Sequence, residues 1–185
     1  MRQSQDAITG TKPDFKVLEI GFGPGDCILA LAQLVGNQGK VYGIDISEGM
    51  RDLALAKVKK AGLFERVKLR CCDAIQLPFE DNIFDAIFMS FTLELFDTHE
   101  IPIVLLDCLR VLKGGGRICV ISMTKKGKQC FLIMLYELFH RCFPSLIDCR
   151  PIYVQESVID AGFNIFKTKG MIMGGLPVEI IIGTK

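Results

Sequence analysis

The sequence predicts an α/β fold in which helices cover both faces of a mostly parallel sheet. Short apolar segments alternate with helical patterns along nearly the whole chain, and such alternation requires right-handed crossovers between parallel strands. Glycines at alternate positions separate the first apolar segment from the first helical one, as in the nucleotide-binding turn of such sheets. A length of 185 residues suits one domain with a large core, and we expect a single domain over 1–185.

Each element is predicted by its local pattern of apolar residues. Continuous or alternating apolar residues predict strands, at 16–20, 40–45, 67–71, 84–90, 116–123, 163–169 and 178–183. Apolar residues three and four apart predict helices, at 27–36, 48–61, 100–112, 128–142 and 153–161. No helical segment separates the last two strands, and Gly174-Gly175 lies between them, so we expect an antiparallel hairpin there.

The turn Gly21-Phe-Gly-Pro-Gly25 follows the first strand. Glycines let a turn approach a ligand closely, and the helix start behind them offers free N–H groups. A dinucleotide turn needs a further glycine where this chain has Asp26, and no Gly-Lys-Ser/Thr of a phosphate loop follows. Asp26 and Glu19 favour a ligand that has positive charge and lacks phosphates, and S-adenosylmethionine fits this description. Alternatively, Asp26 is only a helix N-cap.

Asp45 ends the second predicted strand, about 20 residues after the glycine turn. A carboxylate at this spacing can accept hydrogen bonds from both hydroxyls of a ribose. Strand ends often carry Asp, so Asp45 indicates a ribose site only in combination with the glycine turn. The pair predicts an adenosine-containing ligand.

Five segments in order carry a family resemblance. They are Glu19–Gly25, Asp45–Met50, Cys72–Phe79, Asn82–Ser90 and Leu109–Arg117. With them the chain resembles the class I S-adenosylmethionine-dependent methyltransferases, and it is most similar to those of ubiquinone and menaquinone biosynthesis and to related small-molecule enzymes. The resemblance implies a Rossmann-like, doubly wound, three-layer αβα fold with seven strands, the last of them antiparallel.

The resemblance also implies a set of cofactor-binding residues at strand ends and in the turns that follow them. They are Glu19, Gly21, Phe22, Gly23, Gly25, Asp45, Ile46, Met50, Cys72, Asp73, Ala74, Ser90 and Phe91. Glu19 would orient the methionine moiety, and Asp45 would hold the ribose. Asp73 would accept from the adenine amino group, and the Ser90 carbonyl would meet the ammonium group.

The methyl acceptor is predicted less directly. The segment Phe131–Pro144 is an apolar helical pattern that carries Tyr136, Glu137 and His140, at a place where family members build the acceptor pocket. It is a wall for an apolar substrate, a surface that rests on a membrane interface, or simple core packing. His140 is the candidate catalytic base, because the pKa of histidine lies near working pH.

Composition excludes other function classes. The net charge is +1, so no basic face for nucleic acid is expected. The Asp/Asn-Pro-Pro-aromatic motif of enzymes that methylate base amino groups is absent after the fourth strand. The polar start of the chain contains no secretory signal and its apolar runs are short, so we expect a cytoplasmic protein without a membrane span. A nicotinamide oxidoreductase is disfavoured by Asp26.

The chain contains eight cysteines but no C-x-x-C pair. Cys27, Cys71, Cys108, Cys119 and Cys130 lie inside periodic apolar segments, which predicts reduced, mostly buried thiols and no metal site. No cysteine spacing supports a thiol-based mechanism of the kind used in arsenic methylation.

Taken together, the motifs predict methyl transfer from S-adenosylmethionine to a small apolar or lipid-like acceptor by in-line displacement. The alternative is a protein that holds the cofactor without catalysis.

Overall fold

The computed structural model describes residues 14–125 and 151–185 of the chain. The strands are β1 (Lys16–Ile20), β2 (Lys40–Asp45), β3 (Val67–Cys71), β4 (Phe84–Ser90), β5 (Leu112–Met123), β6 (Asn164–Met173) and β7 (Leu176–Thr184). The helices are α1 (Asp26–Leu34), α2 (Glu48–Lys60), α3 (Ile101–Val111) and α4 (Val154–Asp160). The helix predicted at 128–142 lies outside the described residues.

All these strands form one seven-stranded sheet in the order β3-β2-β1-β4-β5-β7-β6. The first five run parallel, and β7 is antiparallel to both of its neighbours. The predicted α/β fold with a reversed last strand is confirmed. The chain leaves β1 towards β3 and then returns to β4 on the other side of β1. This reversal opens a crevice at the carboxyl ends of β1 and β4, where ligands of such sheets bind.

Three predicted strand boundaries differ from the structure by two residues or more. The fifth strand begins at Leu112 instead of residue 116, because Leu112 already pairs with Phe84 before a register shift. The hairpin strands extend to Met173 and Leu176, which pair with each other. Gly174 and Gly175 both have positive φ, 58° and 83°. A two-residue hairpin turn of type I′ requires positive φ at both of its central residues. The predicted hairpin is therefore confirmed and is longer than expected.

The core lies on both faces of the sheet. Alternate strand residues point to opposite faces, so Val17 packs in the cluster under α1 and α2, whereas Leu18 packs in the cluster under α3 and α4. Helix α1 buries Ile28 and Leu31, and α3 buries Val104 and Leu105. The result is the expected three-layer arrangement.

The described cysteines are Cys27, Cys71, Cys72, Cys108 and Cys119, and none of these five is in a disulfide bond. Three of them are buried, and burial raises the pKa of the Cys108 and Cys119 thiols. Thiols in such surroundings stay protonated and unreactive. Within 14–125 and 151–185, none of the helices combines the length and apolar character needed to cross a bilayer.

Candidate functional site

A cavity of about 290 Å³ lies at the carboxyl ends of β1 and β2. Six of the predicted cofactor residues line it: Gly21, Asp45, Ile46, Cys72, Asp73 and Ala74. None of the described residues that line it is basic. A ligand with several phosphates would lack cationic partners here, whereas a ligand with an adenosine and a positive charge has acidic ones.

Asp45 holds the turns on both sides of it. Its Oδ2 accepts a hydrogen bond from the Gly23 N–H at 2.8 Å, and its Oδ1 accepts from the Ser47 N–H at 2.9 Å. Its carbonyl accepts from the Cys72 N–H at 3.0 Å. Ser47 caps α2 by accepting from the Met50 N–H at 3.3 Å. One carboxylate therefore positions the glycine turn and the start of α2, and the same residue lines the cavity.

Glu19 is buried in β1, between Gly43 of β2 and Phe88 of β4. Its Oε2 has no hydrogen-bond partner in the described part of the chain. Burial, and then the negative charges of Asp45 and Asp26, raise the pKa of Glu19 well above its ordinary value. A buried carboxylate without a partner is costly. A cationic ligand nearby would remove that cost.

Asp26 does not cap α1 through its side chain, so the N-cap interpretation is wrong. Gly25 occupies the N-cap position with φ 86°, and Asp26 is the first residue of the helix. The Asp26 carboxylate accepts instead from Lys57 Nζ at 2.7 Å and is largely exposed. An acidic residue in the first turn still interacts favourably with the helix dipole.

Two glycines of the turn are required for packing. A Cβ on Gly21 would lie 2.3 Å from Thr92 Cγ2, and a Cβ on Gly25 would lie 2.7 Å from the Cβ of Ala54 in α2. Gly23 has φ +50° and open space around its Cβ position. The Phe22 side chain is buried in the cluster under α1 and α2, so its side chain serves the core.

Of the other predicted residues, Met50, Ser90 and Phe91 are not among those that line the cavity, whereas Asp73 lines it. Asp73 Oδ1 accepts from the Ile75 N–H at 3.0 Å, which fixes the turn after β3. The Ser90 carbonyl accepts from Thr92 Oγ1 at 3.2 Å. Phe91 has φ 55°, an uncommon value for a residue with a side chain. Met50 is partly exposed on α2.

Sequence reasoning missed seven residues that line the cavity, and four of them follow β4. They are Ile20, Ile44, Ile75, Thr92, Leu95, Phe96 and Glu100. Their position in the sequence could have identified those after β4, because the loop that follows a strand at the crevice faces the ligand.

Glu94 is a second buried carboxylate in this loop. Its Oε1 accepts from the Met123 N–H at 3.2 Å, whereas Oε2 has no partner among the described residues. Burial raises the pKa of Glu94.

The predicted base His140 lies outside the described residues, so its role stays a prediction. Asp97, His99 and Glu100 bring potential ligand atoms within 4.8 Å of one another. Glu100 Oε2, however, accepts from the Asp97 N–H at 2.9 Å. This hydrogen bond stabilises the turn just before α3, and we assign no metal to the three residues.

Comparison with known proteins agrees with this geometry. Residues 17–116 match the family described as "Methyltransferase domain". Demethylmenaquinone methyltransferase of Symbiobacterium thermophilum is 33% identical over 142 residues, covering 77% of this chain and 55% of the relative. The enzyme of the same name from Bacillus cereus is 36% identical over 149 residues, covering 77% of this chain and 62% of the relative. The chain thus spans little more than half the length of these relatives.

Solved structures give the same picture. A SAM-dependent methyltransferase from Aquifex aeolicus superposes with a TM-score of 0.70 at 26% identity, covering 95% of this chain and 84% of its own. The [4+2]-cyclase SpnF superposes with a TM-score of 0.78 at 20% identity, covering 100% of this chain and 80% of its own. At that identity the second likeness shows the fold alone.

Proposed function

The chain belongs to the class I S-adenosylmethionine-dependent methyltransferases, and we propose that it transfers a methyl group to a small apolar or lipid-like acceptor of the quinol type. The observation that supports S-adenosylmethionine as the methyl donor is the cavity lined by the acidic residues Asp45, Asp73 and Glu100. Its described lining is free of basic side chains. Glu19 precedes the lining residue Ile20 in β1, and its Oε2 has no partner among the described residues. Both features fit a cation that carries an adenosine.

S-adenosylmethionine supplies an electrophilic methyl group on a positively charged sulfur. In the proposed assignment Glu19 provides the buried negative charge that favours this cation. Asp45 binds the ribose while it holds the glycine turn, and Asp73, Cys72 and Ala74 border the adenine. The protein's main contribution to rate is alignment of the acceptor and exclusion of water.

The proposed methyl acceptor is supported by the names of the relatives. Proteins 33% and 36% identical to this chain are named demethylmenaquinone methyltransferases, and their named acceptor is an apolar quinone. A methyltransferase acting on such a molecule needs an apolar wall, which the sequence offers in Phe131–Pro144. We retain His140, in this segment, as the proposed base.

Binding and transfer are tested separately. Calorimetry with S-adenosylmethionine, S-adenosylhomocysteine and NAD should show binding of the first two only; tight NAD binding without a response to S-adenosylhomocysteine would refute the donor assignment. Transfer of a labelled methyl group is then measured with demethylmenaquinol, phospholipid amines and small amines. Cofactor binding without transfer to any of them would favour the alternative, a cofactor-binding protein without catalysis.

The role of His140 is tested by His140→Ala with the acceptor that gives turnover. Loss of a general base should reduce transfer by roughly 10²-fold at unchanged cofactor affinity. The second histidine, His99, provides the control substitution His99→Ala. Turnover of His140→Ala at the wild-type rate would leave alignment as the only catalytic device.

A further inference from the structure

The β6–β7 hairpin projects from the sheet at the edge that carries the cofactor cavity. Strand β6 is the edge strand, and it runs in the same direction as β5 because both are antiparallel to β7. Met123 at the end of β5 is level with Val178, and the next residue, Thr124, still donates its N–H to the Pro177 carbonyl at 3.0 Å. The hairpin continues to the Met173–Leu176 pair, so its tip, Met171–Leu176, extends roughly 3 Å beyond the last of these contacts before the turn is counted.

Large apolar side chains are exposed on this hairpin. Ile172 is 77% exposed, Phe166 57%, Met173 43% and Met171 40%. Scattered exposed apolar residues need no explanation, but three of these are consecutive at a projecting tip. Successive strand residues point to opposite faces, so the tip exposes apolar groups on both faces. A flat protein partner could cover only one face, whereas a lipid layer can surround both.

The charges on the hairpin fit an anionic surface. Between Asp160 and Glu179 the chain has no acidic residue, and its only charged residues are Lys167 and Lys169. The regular register after Lys167 puts these lysines on the same face as Met171 and Met173, behind them as measured from the tip. Long lysine side chains reach headgroups while apolar residues enter the acyl boundary. This order of basic and apolar residues is the one that interfacial insertion requires.

We propose that the tip of the β6–β7 hairpin inserts into the interface of an anionic lipid bilayer. Because the tip and the cavity share one edge of the sheet, insertion brings the cavity towards the membrane surface. The inference rests on exposure, charge and position, so it does not depend on the identity of the acceptor.

The chain contains no tryptophan, so Ile172→Trp introduces a single fluorescent reporter at the tip. Vesicles of phosphatidylcholine with about 30 mol% phosphatidylglycerol should shift its emission to the blue. Lipids brominated on the acyl chain should quench it. Ile103→Trp is the matched control, since Ile103 is exposed on α3 away from the hairpin. It should show neither effect. A tip reporter that behaves like the control would overturn the proposal.

Vesicle sedimentation measures the contributions of the two residue classes. The double variant Ile172→Ser/Met173→Ser should lose at least about tenfold in partitioning, with Ile103→Ser unchanged. Lys167→Gln/Lys169→Gln should lose roughly 25-fold on the anionic vesicles, about fivefold per lysine, and little on pure phosphatidylcholine. Unaltered S-adenosylmethionine affinity in each variant shows that it is folded.

A second copy of the chain is the competing occupant. Light scattering without vesicles distinguishes the two. If the wild type is a dimer that Ile172→Ser/Met173→Ser converts to a monomer, the hairpin is a subunit interface and the membrane proposal is wrong. A mass unchanged by this substitution, with lost vesicle binding, supports the proposal.

Discussion

Asp45 connects the glycine turn, the start of α2 and the turn after β3, through hydrogen bonds from Gly23, Ser47 and Cys72. Two of these bonds reach its carboxylate, and the proposed ribose contact uses the same group. The residue therefore serves folding and binding together. The sequence indicated only the ribose role, because its spacing from the turn says nothing about which N–H groups it accepts.

Asp45→Ala should weaken S-adenosylmethionine binding at least about tenfold, because two ribose hydroxyls lose an acceptor. It should also lower the free energy of unfolding by about 1–2 kcal/mol, because the Gly23 and Ser47 N–H groups lose theirs. Calorimetry and urea unfolding measure the two effects. Asp52→Ala on the exposed side of α2 is the control and should change neither. Unchanged cofactor affinity in Asp45→Ala would mean that the ribose is held elsewhere.

Glu19 predicts a pH-dependent cofactor affinity. Burial and the neighbouring carboxylates raise its pKa above the ordinary value of 4.5, so the free protein holds a proton at Glu19 at acidic pH. A cationic ligand favours the carboxylate, so binding releases that proton. Affinity for S-adenosylmethionine should therefore rise as pH increases from 4.5 towards the raised pKa, by up to about tenfold per pH unit.

Two comparisons isolate this effect. S-adenosylhomocysteine lacks the sulfonium charge, so its affinity should depend less on pH. Glu19→Gln, which keeps the size of the side chain, should remove most of the dependence. Calorimetry below pH about 7 avoids titration of the ligand's own amino group. An equal pH dependence in wild type and Glu19→Gln would exclude Glu19 as its source.

At the scale of the elements, the sequence predicted β1 to β4 with the bounds that the structure has. β1, β2 and β4 are mostly apolar and end at or next to a polar residue or glycine, whereas β3 alternates apolar and basic residues. The local pattern therefore indicates these strands. The start of β5 at Leu112 was not predictable in this way, because Lys113–Gly116 is polar and glycine-rich and enters the strand only by pairing with its neighbours. The exposed end of β6 likewise depends on the turn at Gly174 and Gly175.

The glycine turn offers a matched pair of substitutions. Gly25→Ala places a Cβ 2.7 Å from the Ala54 Cβ at φ +86°, whereas Gly23→Ala at φ +50° meets open space. Both substitutions should lower the free energy of unfolding by about 1–2 kcal/mol, because alanine disfavours the left-handed backbone conformation. Only Gly25→Ala should lower it by about 1–3 kcal/mol more, because its Cβ overpacks the contact between α1 and α2. Urea unfolding should therefore show a larger loss for Gly25→Ala. Equal losses would show that α1 and α2 separate freely.

For the molecule as a whole, the order of its strands brings the site together. The sequence predicted that the ends of successive strands meet at one edge, and six predicted residues do line one cavity. It did not predict Thr92 above Gly21 or Glu94 against Met123. Those contacts join residues far apart in the chain and leave no local pattern. The same limit applies to the hairpin tip, whose exposure depends on which helices cover the sheet.

Glu94 links the stability of the whole molecule to pH. Its folded-state pKa is raised by burial above the ordinary value of 4.5. Below 4.5 both folded and unfolded states hold the proton, and the contribution to stability is fully present. As pH rises through the raised pKa, the folded state must bury a charge whose Oε2 has no hydrogen-bond partner among the described residues, so the contribution is lost. Wild-type stability should therefore fall relative to a variant that stays neutral.

Glu94→Gln is that variant, because its carbonyl oxygen can still accept from the Met123 N–H and its amide carries no charge. We expect its unfolding free energy to exceed that of the wild type by about 1–3 kcal/mol at pH 8, with the difference shrinking as the pH approaches 4.5. Urea unfolding across this range measures it, with Glu80→Gln at an exposed position as the control that should show no such trend. A difference independent of pH would mean that Glu94 does not change protonation on folding. A variant less stable than the wild type at every pH would mean instead that the charged carboxylate has a partner that stabilises it.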